Sequence, residues 1–387
     1  MRILVLGVYY SNNLGDGVIC ECVAERLKYH FPDSIVEIRD VLERYEFKRN
    51  SENTLKQLED RKKRQKMRRF VTKYCFWDKE YESQKIRLNL HRKYIHAVCE
   101  KEYDLVVFAG GQLFMDSYAL ILGEYVKCFA QKNIPVFMNA CGTGPQVSGK
   151  VKNEFSETLN KDIVKWISSR DDYEKVNHQY MKKVKKTVET FDPALWVPEV
   201  YQIQKSGDST TIGLGIMYAH SIDTKKQVDF WVELIKHFEK EQVDWKIFVN
   251  GDENDILFAR YIFQQIPGLT GEFEKYMCQI PKRPNELVQV VAGLKSMISF
   301  RLHSHIIAAA LSIPSIAVVW DDKLNFFFKK IGYPERSCNI NETPEMILRK
   351  LHMAEKESLN MELINKQKLY ADELLYQALQ KEIKGKE

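Results

Sequence analysis

The chain has 387 residues, of which 44% are hydrophobic and 29% charged, with a formal net charge of +5 at pH 7. This length favours two domains over one, and the composition is that of a globular protein rather than a disordered or fibrous one. The small positive charge by itself favours anionic partners only weakly.

The cysteines and the apolar runs indicate the cellular compartment of the protein. Eight cysteines are scattered and form no CxxC pair, so we predict neither a zinc site nor a disulfide framework, which fits a reducing compartment. The first apolar run, Ile3–Val8, is too short for a signal peptide and is typical of a first strand. No run approaches the roughly 20 apolar residues of a membrane span. We therefore expect a cytoplasmic protein.

Residues 1–200 alternate short apolar runs with amphipathic segments. The predicted strands are Ile3–Val8, Ile35–Ile38, Leu105–Ala109, Val136–Asn139, Trp166–Ser169 and Val188–Phe191. The predicted helices are Asp16–Phe31, Ser117–Lys132, Val151–Asp162 and Asp171–Lys182. Strands that alternate with helices indicate parallel βαβ units and an open doubly wound sheet.

A second alternating series follows a linker at residues 199–210. Its predicted strands are Ile212–Met217, Lys246–Val249, Met297–Ser299 and Ile316–Val319. Its predicted helices are Lys225–Lys240, Asp255–Gln265, Asn285–Leu294, Ser304–Leu311 and Leu324–Ile331. Asn250–Asp255 lacks the length and spacing of an EF-hand, so we interpret it as a turn with a helix cap.

Together the two series predict an α/β fold with two Rossmann-like doubly wound domains in a GT-B-like arrangement, residues 1–200 and 208–342. A helical tail at residues 343–387 closes it. Ligands of such sheets bind beyond the carboxyl ends of the strands, which here places them in the cleft between the domains.

A charged helical insertion at about residues 46–100 interrupts the first series. Its centre is the basic run Arg61–Arg69, followed by Phe70, Tyr74, Phe76 and Trp77. The pattern fits a solvated helical excursion. It also fits a basic and aromatic patch, residues 61–77, that rests on an anionic membrane or grips a lipid-linked diphosphate. A third interpretation is that the patch binds nucleic acid, but no recognised binding motif supports it.

Glycine-bearing turns follow three predicted strands of the first half: Val8–Gly17, Phe108–Phe114 and Cys141–Pro145. Glycine lets a ligand approach the backbone, and Ser, Asn and Asp side chains cap helices or bind hydroxyl groups. Each turn alone also fits a plain connection, with Asp16 as a helix N-cap, and the absence of GxGxxG disfavours a dinucleotide site. The residues that we predict on this wall of the cleft are Asn12, Asn13, Asp16, Gly110, Gly111, Gln112, Gly142, Thr143 and Arg170.

The most informative stretch is Ser299–Leu311, where a predicted strand ends and a predicted helix begins. Arg301 and His303 lie near that helix start, where free backbone N–H groups and the positive dipole end attract anions. Lys323 opens the helix after the next strand, against the usual dipole preference, which suggests an anion that it serves. An imidazole also moves a proton near neutral pH. The predicted anion site comprises Arg301, His303, Ser304, His305, Lys323 and Arg283.

At these residues the chain resembles the polysaccharide pyruvyl transferase family. The matching elements, in chain order, are Asn13–Asp16, Gly110-Gly111, Gly142–Pro145, Arg170-Asp171, Asp192–Leu195, Ser299-x-Arg301-x-His303 and Asp322-Lys323. They span about residues 1–335 and leave out the basic insertion and the tail.

The resemblance implies a fold similar to GT-B glycosyltransferases and transfer of pyruvate from phosphoenolpyruvate onto two sugar hydroxyls, as a ketal. It implies that Arg301 and His303 are catalytic at the phosphoenolpyruvate site, with His303 as general acid, although His305 stays an alternative proton donor. The first-half wall would bind the acceptor, a sugar of a surface-glycan precursor that we expect to be lipid-linked. Asp16 or Asp171 would deprotonate its hydroxyl.

We accordingly expect a pyruvyl transferase at the inner face of the membrane, with phosphoenolpyruvate as co-substrate, no metal, no other cofactor and no nucleic acid. Two alternatives stay open at this point. One is a GT-B glycosyltransferase that uses a nucleotide sugar, which would need the same anion site. The other is a non-catalytic protein that binds a membrane or nucleic acid through the basic insertion.

Overall fold

The computed structural model describes residues 1–47, 54–74, 78–144, 148–182 and 186–385. Pro145 of the third glycine turn, and Phe76 and Trp77 of the basic and aromatic patch, therefore lie outside the described residues.

The first half is built on a parallel sheet. Its strands are β1 (Arg2–Gly7), β2 (Ile35–Asp40), β3 (Leu105–Phe108), β4 (Gly111–Phe114), β5 (Val136–Met138), β6 (Cys141–Thr143), β7 (Val164–Ser169) and β8 (Val188–Glu189). Six of them form one sheet in the order β2-β1-β3-β5-β7-β8, while β4 and β6 form a separate parallel pair. The central strands are buried on both faces, as expected when helices cover both sides.

The helices of this half lie between its strands. They are α1 (Leu14–His30), α2 (Leu55–Tyr74), α3 (Lys79–Glu100), α4 (Ala119–Gln131), α5 (Gly149–Leu159), α6 (Tyr173–Tyr180) and α7 (Val197–Tyr201). Two short 3₁₀ helices occupy Asp116–Tyr118 and Pro193–Trp196. The side chains of Asp78, Ser148 and Asp172 accept backbone N–H groups at the starts of α3, α5 and α6, which fixes where these helices begin.

The second half repeats the pattern. Its strands are β9 (Ile212–Gly215), β10 (Trp245–Phe248), β11 (Ser296–Ser299), β12 (Ser315–Val318) and β13 (Ser337–Cys338), in the parallel order β10-β9-β11-β12-β13. Its helices are α8 (Thr224–Lys240), α9 (Glu253–Gln264), α10 (Phe273–Tyr276), α11 (Pro284–Ala292), α12 (Leu302–Ala310), α13 (Asp322–Lys330), α14 (Pro344–Lys356) and α15 (Met361–Lys384).

The predicted α/β alternation is confirmed, with element ends shifted by a few residues. Three corrections matter for the site. Helix α1 begins at Leu14 with Asn13 in the N-cap position, so Asp16 lies in the first turn and is not the cap. Helix α12 begins at Leu302, which places His303 inside it. Helix α7 continues to Tyr201, inside the segment predicted as linker.

The tail divides between the two halves. Helix α14 packs on the second sheet, whereas α15 begins beside α13, where Gln367 donates to the backbone oxygen of Lys330. Farther along, Asp372 of α15 accepts two hydrogen bonds from Arg26 of α1, at 2.7 and 3.1 Å. Helix α15 thus crosses from the second half back to the first.

The insertion is a helical hairpin that reaches the second domain. Helix α3 packs on α4, while Leu58 of α2 is buried in the hydrophobic core of the second domain. Lys62, inside the basic run, is also buried and donates to the backbone oxygen of Ile222. The insertion is therefore not a simple solvated excursion, because one face of α2 bridges the cleft. Among the described residues, the helices are too short or too polar to cross a membrane.

Candidate active site

The starts of α1 and α12 meet at the domain interface. The backbone N–H of Leu14 donates to the carbonyl of Asn250, which follows β10, at 2.9 Å. Gly15 permits the contact, because a Cβ at this position would lie 2.3 Å from the Cβ of His303. The first glycine turn therefore faces His303 directly across the interface.

His303 is buried between two polar side chains of the first domain. Its Nε2 lies 3.1 Å from Nη1 of Arg170, and its Nδ1 lies 3.3 Å from Nδ2 of Asn13. An arginine only donates, so Nε2 accepts this bond and the neutral ring carries its proton on Nδ1. A proton there needs an acceptor, and Oδ1 of Asn13 is a buried oxygen without a hydrogen-bond partner among the described residues. Turning this amide over would supply the acceptor at the cost of the hydrogen bond that Nδ2 of Asn13 donates to Oδ2 of Asp16 at 3.3 Å.

The surroundings of His303 disfavour the imidazolium. Burial lowers the pKa of His303 well below its usual value, and the positive charges of Arg170, Lys323 and Arg301 lower it further. At neutral pH the resting protein therefore holds a neutral His303 among three cations.

Arg170 follows β7 and lies against His303 at the bottom of the cleft. We call this region, with Asp16, Arg301 and Lys323, the cleft floor. It forms a buried ion pair with Asp192, and its Nε is buried with no hydrogen-bond partner in the part of the chain that the structure describes. This Nε would lie 3.2 Å from a Cβ placed on Gly142. The absence of a side chain at Gly142 thus leaves an unused donor facing the β6 turn, which suits an anionic ligand atom.

Arg301 is held by two carboxylates that the sequence analysis did not connect to it. Its guanidinium forms an ion pair with Asp255, with Nε 3.0 Å from Oδ2, and its Nη2 lies 3.4 Å from Asp252. Asp252 caps α9 as predicted. Burial raises the pKa of Asp255 to about 7, although Arg301 opposes the shift. The pair orients Arg301 and offsets part of its charge.

Lys323 joins the two walls of the cleft. Its Nζ lies 3.4 Å from Oε1 of Gln112, 3.7 Å from Asp321 and 4.5 Å from the ring centre of Trp320. Gln112 in turn donates to the backbone oxygen of Thr143 at 2.9 Å. Burial lowers the pKa of Lys323. The second and third glycine turns therefore reach the anion site through one glutamine.

The two candidate bases differ in their surroundings. Asp171 accepts bonds from the backbone N–H groups of Thr143 and Asp172 and from the hydroxyl of Ser169, so it holds the β6 turn in place. Asp16 is partly buried on the cleft floor. The loss of water around its carboxyl raises the pKa of that group. Asp16 therefore suits a proton acceptor better than Asp171 does.

The glycines of the second turn adopt left-handed backbone conformations. Gly110 has φ 104° and Gly111 has φ 78°. A Cβ on Gly110 would lie 3.0 Å from the carbonyl oxygens of Asn139 and Ala140, and one on Gly111 would lie 3.4 Å from Oδ1 of Asp16. This turn therefore requires glycine for both its conformation and its approach to the floor.

Other predicted residues lie away from the cleft. His305 is wholly buried in the second domain, where its ring nitrogens lie 3.0 Å from Ser315 and from the backbone oxygen of Ser299. Ser304 is buried and donates to Oδ1 of Asn250. The α12 face that carries these two side chains points into the second domain, so at the anion site these residues offer only the backbone N–H groups of the first turn of α12.

Two further predicted residues sit at the margins. Arg283 is exposed in the N-cap position of α11, and it is not among the hydrogen-bonded partners of His303, Arg301 or Lys323 in the described residues. Asn12 is exposed on the α1 side of the interface, where its backbone oxygen would lie 3.0 Å from a Cβ on Gly251.

A cavity of about 600 Å³ opens beside Lys323 between the two domains. Thr143, Asp171 and Asp172 line it from the first domain, and Trp320 and Phe326 line it from the second. Phe326 is 38% exposed, so the cavity presents an aromatic face beside carboxylates. Aromatic faces and carboxylates are both suited to a polyhydroxylated ligand.

The fold and the cleft define a class, the two-domain GT-B proteins with a ligand site between two Rossmann-like domains. The family model described as polysaccharide pyruvyl transferase matches residues 13–322. The chain therefore belongs to the polysaccharide pyruvyl transferase family, and the resemblance found in the sequence is confirmed. The curated proteins include no match to this chain.

Solved structures support the fold. The chain is similar to UDP-GlcNAc 2-epimerase from Neisseria meningitidis bound to UDP-GlcNAc, at 12% identity and TM-score 0.59, covering 98% of this chain and 100% of that one. It is also similar to UDP-GlcNAc 2-epimerase from Methanocaldococcus jannaschii in complex with UDP-GlcNAc and UDP, at 11% identity and TM-score 0.52, covering 93% of this chain and 94% of that one. At these identities the likeness concerns the fold alone.

Proposed function

We propose that the protein transfers the enolpyruvyl group of phosphoenolpyruvate onto two hydroxyls of a sugar in a surface-polysaccharide precursor, forming a pyruvate ketal. The family gives the class of reaction. The single observation that carries the donor site is the buried, neutral His303 surrounded by Arg170, Arg301 and Lys323.

The donor carries a phosphate and a carboxylate, and the cleft floor offers cations for both. Lys323 and the α12 N-terminus, which no side chain caps among the described residues, face the phosphate. The unused Nε of Arg170 faces the carboxylate. Arg301, oriented by Asp255, balances the charge that grows as phosphate leaves.

Acid catalysis needs a protonated His303, which the resting site lacks. The negative charge of phosphoenolpyruvate favours that protonated form. A phosphoenolpyruvate anion beside the ring favours the imidazolium, so its binding raises the pKa of His303 from its depressed resting value. His303 then protonates C3 of the enol, which becomes the methyl group, and C2 gains oxocarbenium character. One sugar hydroxyl adds to C2, and the second displaces inorganic phosphate to close the ring, passing its proton to His303, which the protonation of C3 left neutral.

The acceptor enters through the cavity beside Lys323. Its ring lies against Phe326 and Trp320, while its reacting hydroxyls reach toward the floor. Asp16, whose raised pKa suits a base, takes the first hydroxyl proton.

Incubation with phosphoenolpyruvate and a panel of sugar acceptors tests the proposal. We expect release of phosphate together with the mass gain of a ketal on one acceptor class. In thermal-shift measurements phosphoenolpyruvate should stabilise the protein and UDP-, GDP- and CMP-sugars should not. Stabilisation by a nucleotide sugar alone would instead support a glycosyltransferase.

The outward face of α2 supports a lipid-linked acceptor at an anionic membrane. Met67, Phe70 and Tyr74 are 64%, 57% and 65% exposed on one side of the helix, and Lys63 and Lys66 flank them. Apolar side chains beside lysines fit the interface of an anionic bilayer. Sedimentation with vesicles at low salt should pull down the wild type, and Phe70→Ser should bind more weakly. Equal binding to neutral vesicles would argue against this role.

A further inference from the structure

A second cluster of reactive side chains lies on the back of the first domain, between α3 and α4. His96 and Cys99 are three residues apart on α3, and Glu124 and Cys128 are four apart on α4. Residues at these spacings share one helix face, so both pairs point into the seam between the packed helices. None of the four lines the cleft described above.

The ligand atoms of this cluster already lie close together. Nε2 of His96 is 2.8 Å from Oε1 of Glu124, and these two atoms and the sulfur of Cys128 all lie within 4.8 Å of one another. Cys99 lies next to Cys128 and lines the same cavity, so its thiol is a fourth candidate ligand outside this group of three. Around tetrahedral zinc, ligand atoms lie roughly 3.3–3.8 Å apart, so these three atoms need shifts of only about 1 Å or less, with His96 and Glu124 moving slightly apart and Cys128 moving closer, while Cys99 must turn toward them.

We propose that His96, Cys99, Glu124 and Cys128 bind a zinc ion. Two thiolates, an imidazole and a carboxylate are the ligand types that zinc prefers, and sulfur disfavours magnesium and calcium. A cavity of about 260 Å³ opens beside the cluster and gives the ion a way in.

Nearby charges suit the loaded site. Two thiolates and a carboxylate around a divalent ion leave one negative charge. Lys127 and Lys132 line the same cavity and compensate it. Zinc binds cysteine as the thiolate, so loading of the site must release protons.

The site would fix the insertion to the first domain. Helix α3 leads back to α2, which bridges the cleft through Leu58 and Lys62. A zinc ion between α3 and α4 would hold the base of this hairpin, so its role is structural, and its loss should lower thermal stability.

Metal binding to the purified full-length protein tests the proposal directly. Protein kept reduced and stripped with a chelator is titrated with Zn²⁺ against a chromophoric chelator, and with Co²⁺ as a spectroscopic probe. We expect one equivalent of metal per chain, a thiolate-to-cobalt charge-transfer band and the intense visible absorption of tetrahedral cobalt. Zinc should also raise the melting temperature.

Variants separate this site from adventitious binding. Cys128→Ser and His96→Gln should each weaken zinc binding at least about tenfold, since even changes around zinc ligands have effects of this size. The side chain of His96 is 49% exposed, so His96→Gln keeps the test valid if Cys128→Ser fails to fold. Cys278→Ser, a half-buried thiol in the second domain, is the matched control and should bind normally.

Two results would overturn the assignment. One is the absence of stoichiometric binding by the reduced wild type, and the other is unchanged binding by both ligand variants.

Discussion

Replacing Gly15 by alanine should lower activity roughly 100-fold without unfolding the protein. Gly15 lies in the first turn of α1, and its added methyl carbon would lie 2.3 Å from Cβ, and 2.4 Å from Cγ and Nδ1, of His303. Carbon atoms pack at about 3.5–4.0 Å, so the two groups must separate by more than roughly 1 Å. The Cβ of His303 is fixed to the backbone of α12, so the starts of α1 and α12, which share one core, must move apart and carry the imidazole with them.

The substitution should affect the rate of turnover more than the stability of the fold. A displacement of about 1 Å in a reacting group costs on the order of 100-fold in rate. Alanine is favoured over glycine in a helix by about 1 kcal/mol, which offsets part of the strain. We therefore expect kcat for phosphate release from phosphoenolpyruvate to fall roughly 100-fold, with a much smaller change in the urea midpoint.

Gly149→Ala is the matched control for this prediction. Gly149 lies in the first turn of α5, and a Cβ there would meet no atom within 4 Å. This variant should keep full activity and be slightly more stable. If Gly15→Ala retained activity within threefold of Gly149→Ala, the placement of His303 against α1 as a requirement for turnover would be refuted.

Three further predictions concern the histidines and Arg301. His303→Gln should abolish phosphate release, whereas His305→Gln should lower the urea midpoint and keep measurable turnover; the reverse pattern would make His305 the proton donor. Burial lowers the pKa of His305 to about 4, below its unfolded value of 6.5, so the unfolded state binds more protons and stability should fall as the pH drops from 6.5 to 4, by roughly 3 kcal/mol at the limit. The difference in unfolding free energy between the wild type and His305→Gln at pH 7, 5.5 and 4.5 measures this loss, because the opposing contribution of Asp255 cancels in that difference, and a flat difference would contradict it. Arg301→Lys should reduce kcat more than tenfold because a point charge cannot reproduce the paired contacts of the guanidinium with Asp255, and near-normal turnover would refute the need for that geometry.

Hydrophobic periodicity predicted the sheets and helices well because parallel strands buried on both faces produce continuous apolar runs. Strands β4, β6 and β13 escaped prediction, since two to four residues, some of them glycine, carry too little pattern. The sequence therefore predicted which long segments form helices and strands. The short strands form only through pairing in the tertiary fold.

The site shows the same division between local and distant information. Arg301 and His303 were visible because their charges interrupt an apolar stretch at a strand-to-helix boundary. The clamp of Asp252 and Asp255 on Arg301 was not, because it lies about 50 residues away in sequence and capping already explains Asp252. The burial of the His305 side chain in the second domain was equally hidden, since its sequence position cannot tell which helix face points into the core.

Helix α15 has a mechanical consequence. The chain passes between the domains once at residues 202–211 and again along this helix, which contacts Lys330 near its start and Arg26 farther on. Two covalent links allow rotation about the line that joins them and oppose twisting or separation of the bodies they connect. Opening of the cleft should therefore follow a single hinge axis and must break the contacts of Leu58 and Lys62 of α2 with the second domain. Because a continuous helix is stiff, the angle reached is limited by how far α15 can bend before the Asp372 contact breaks.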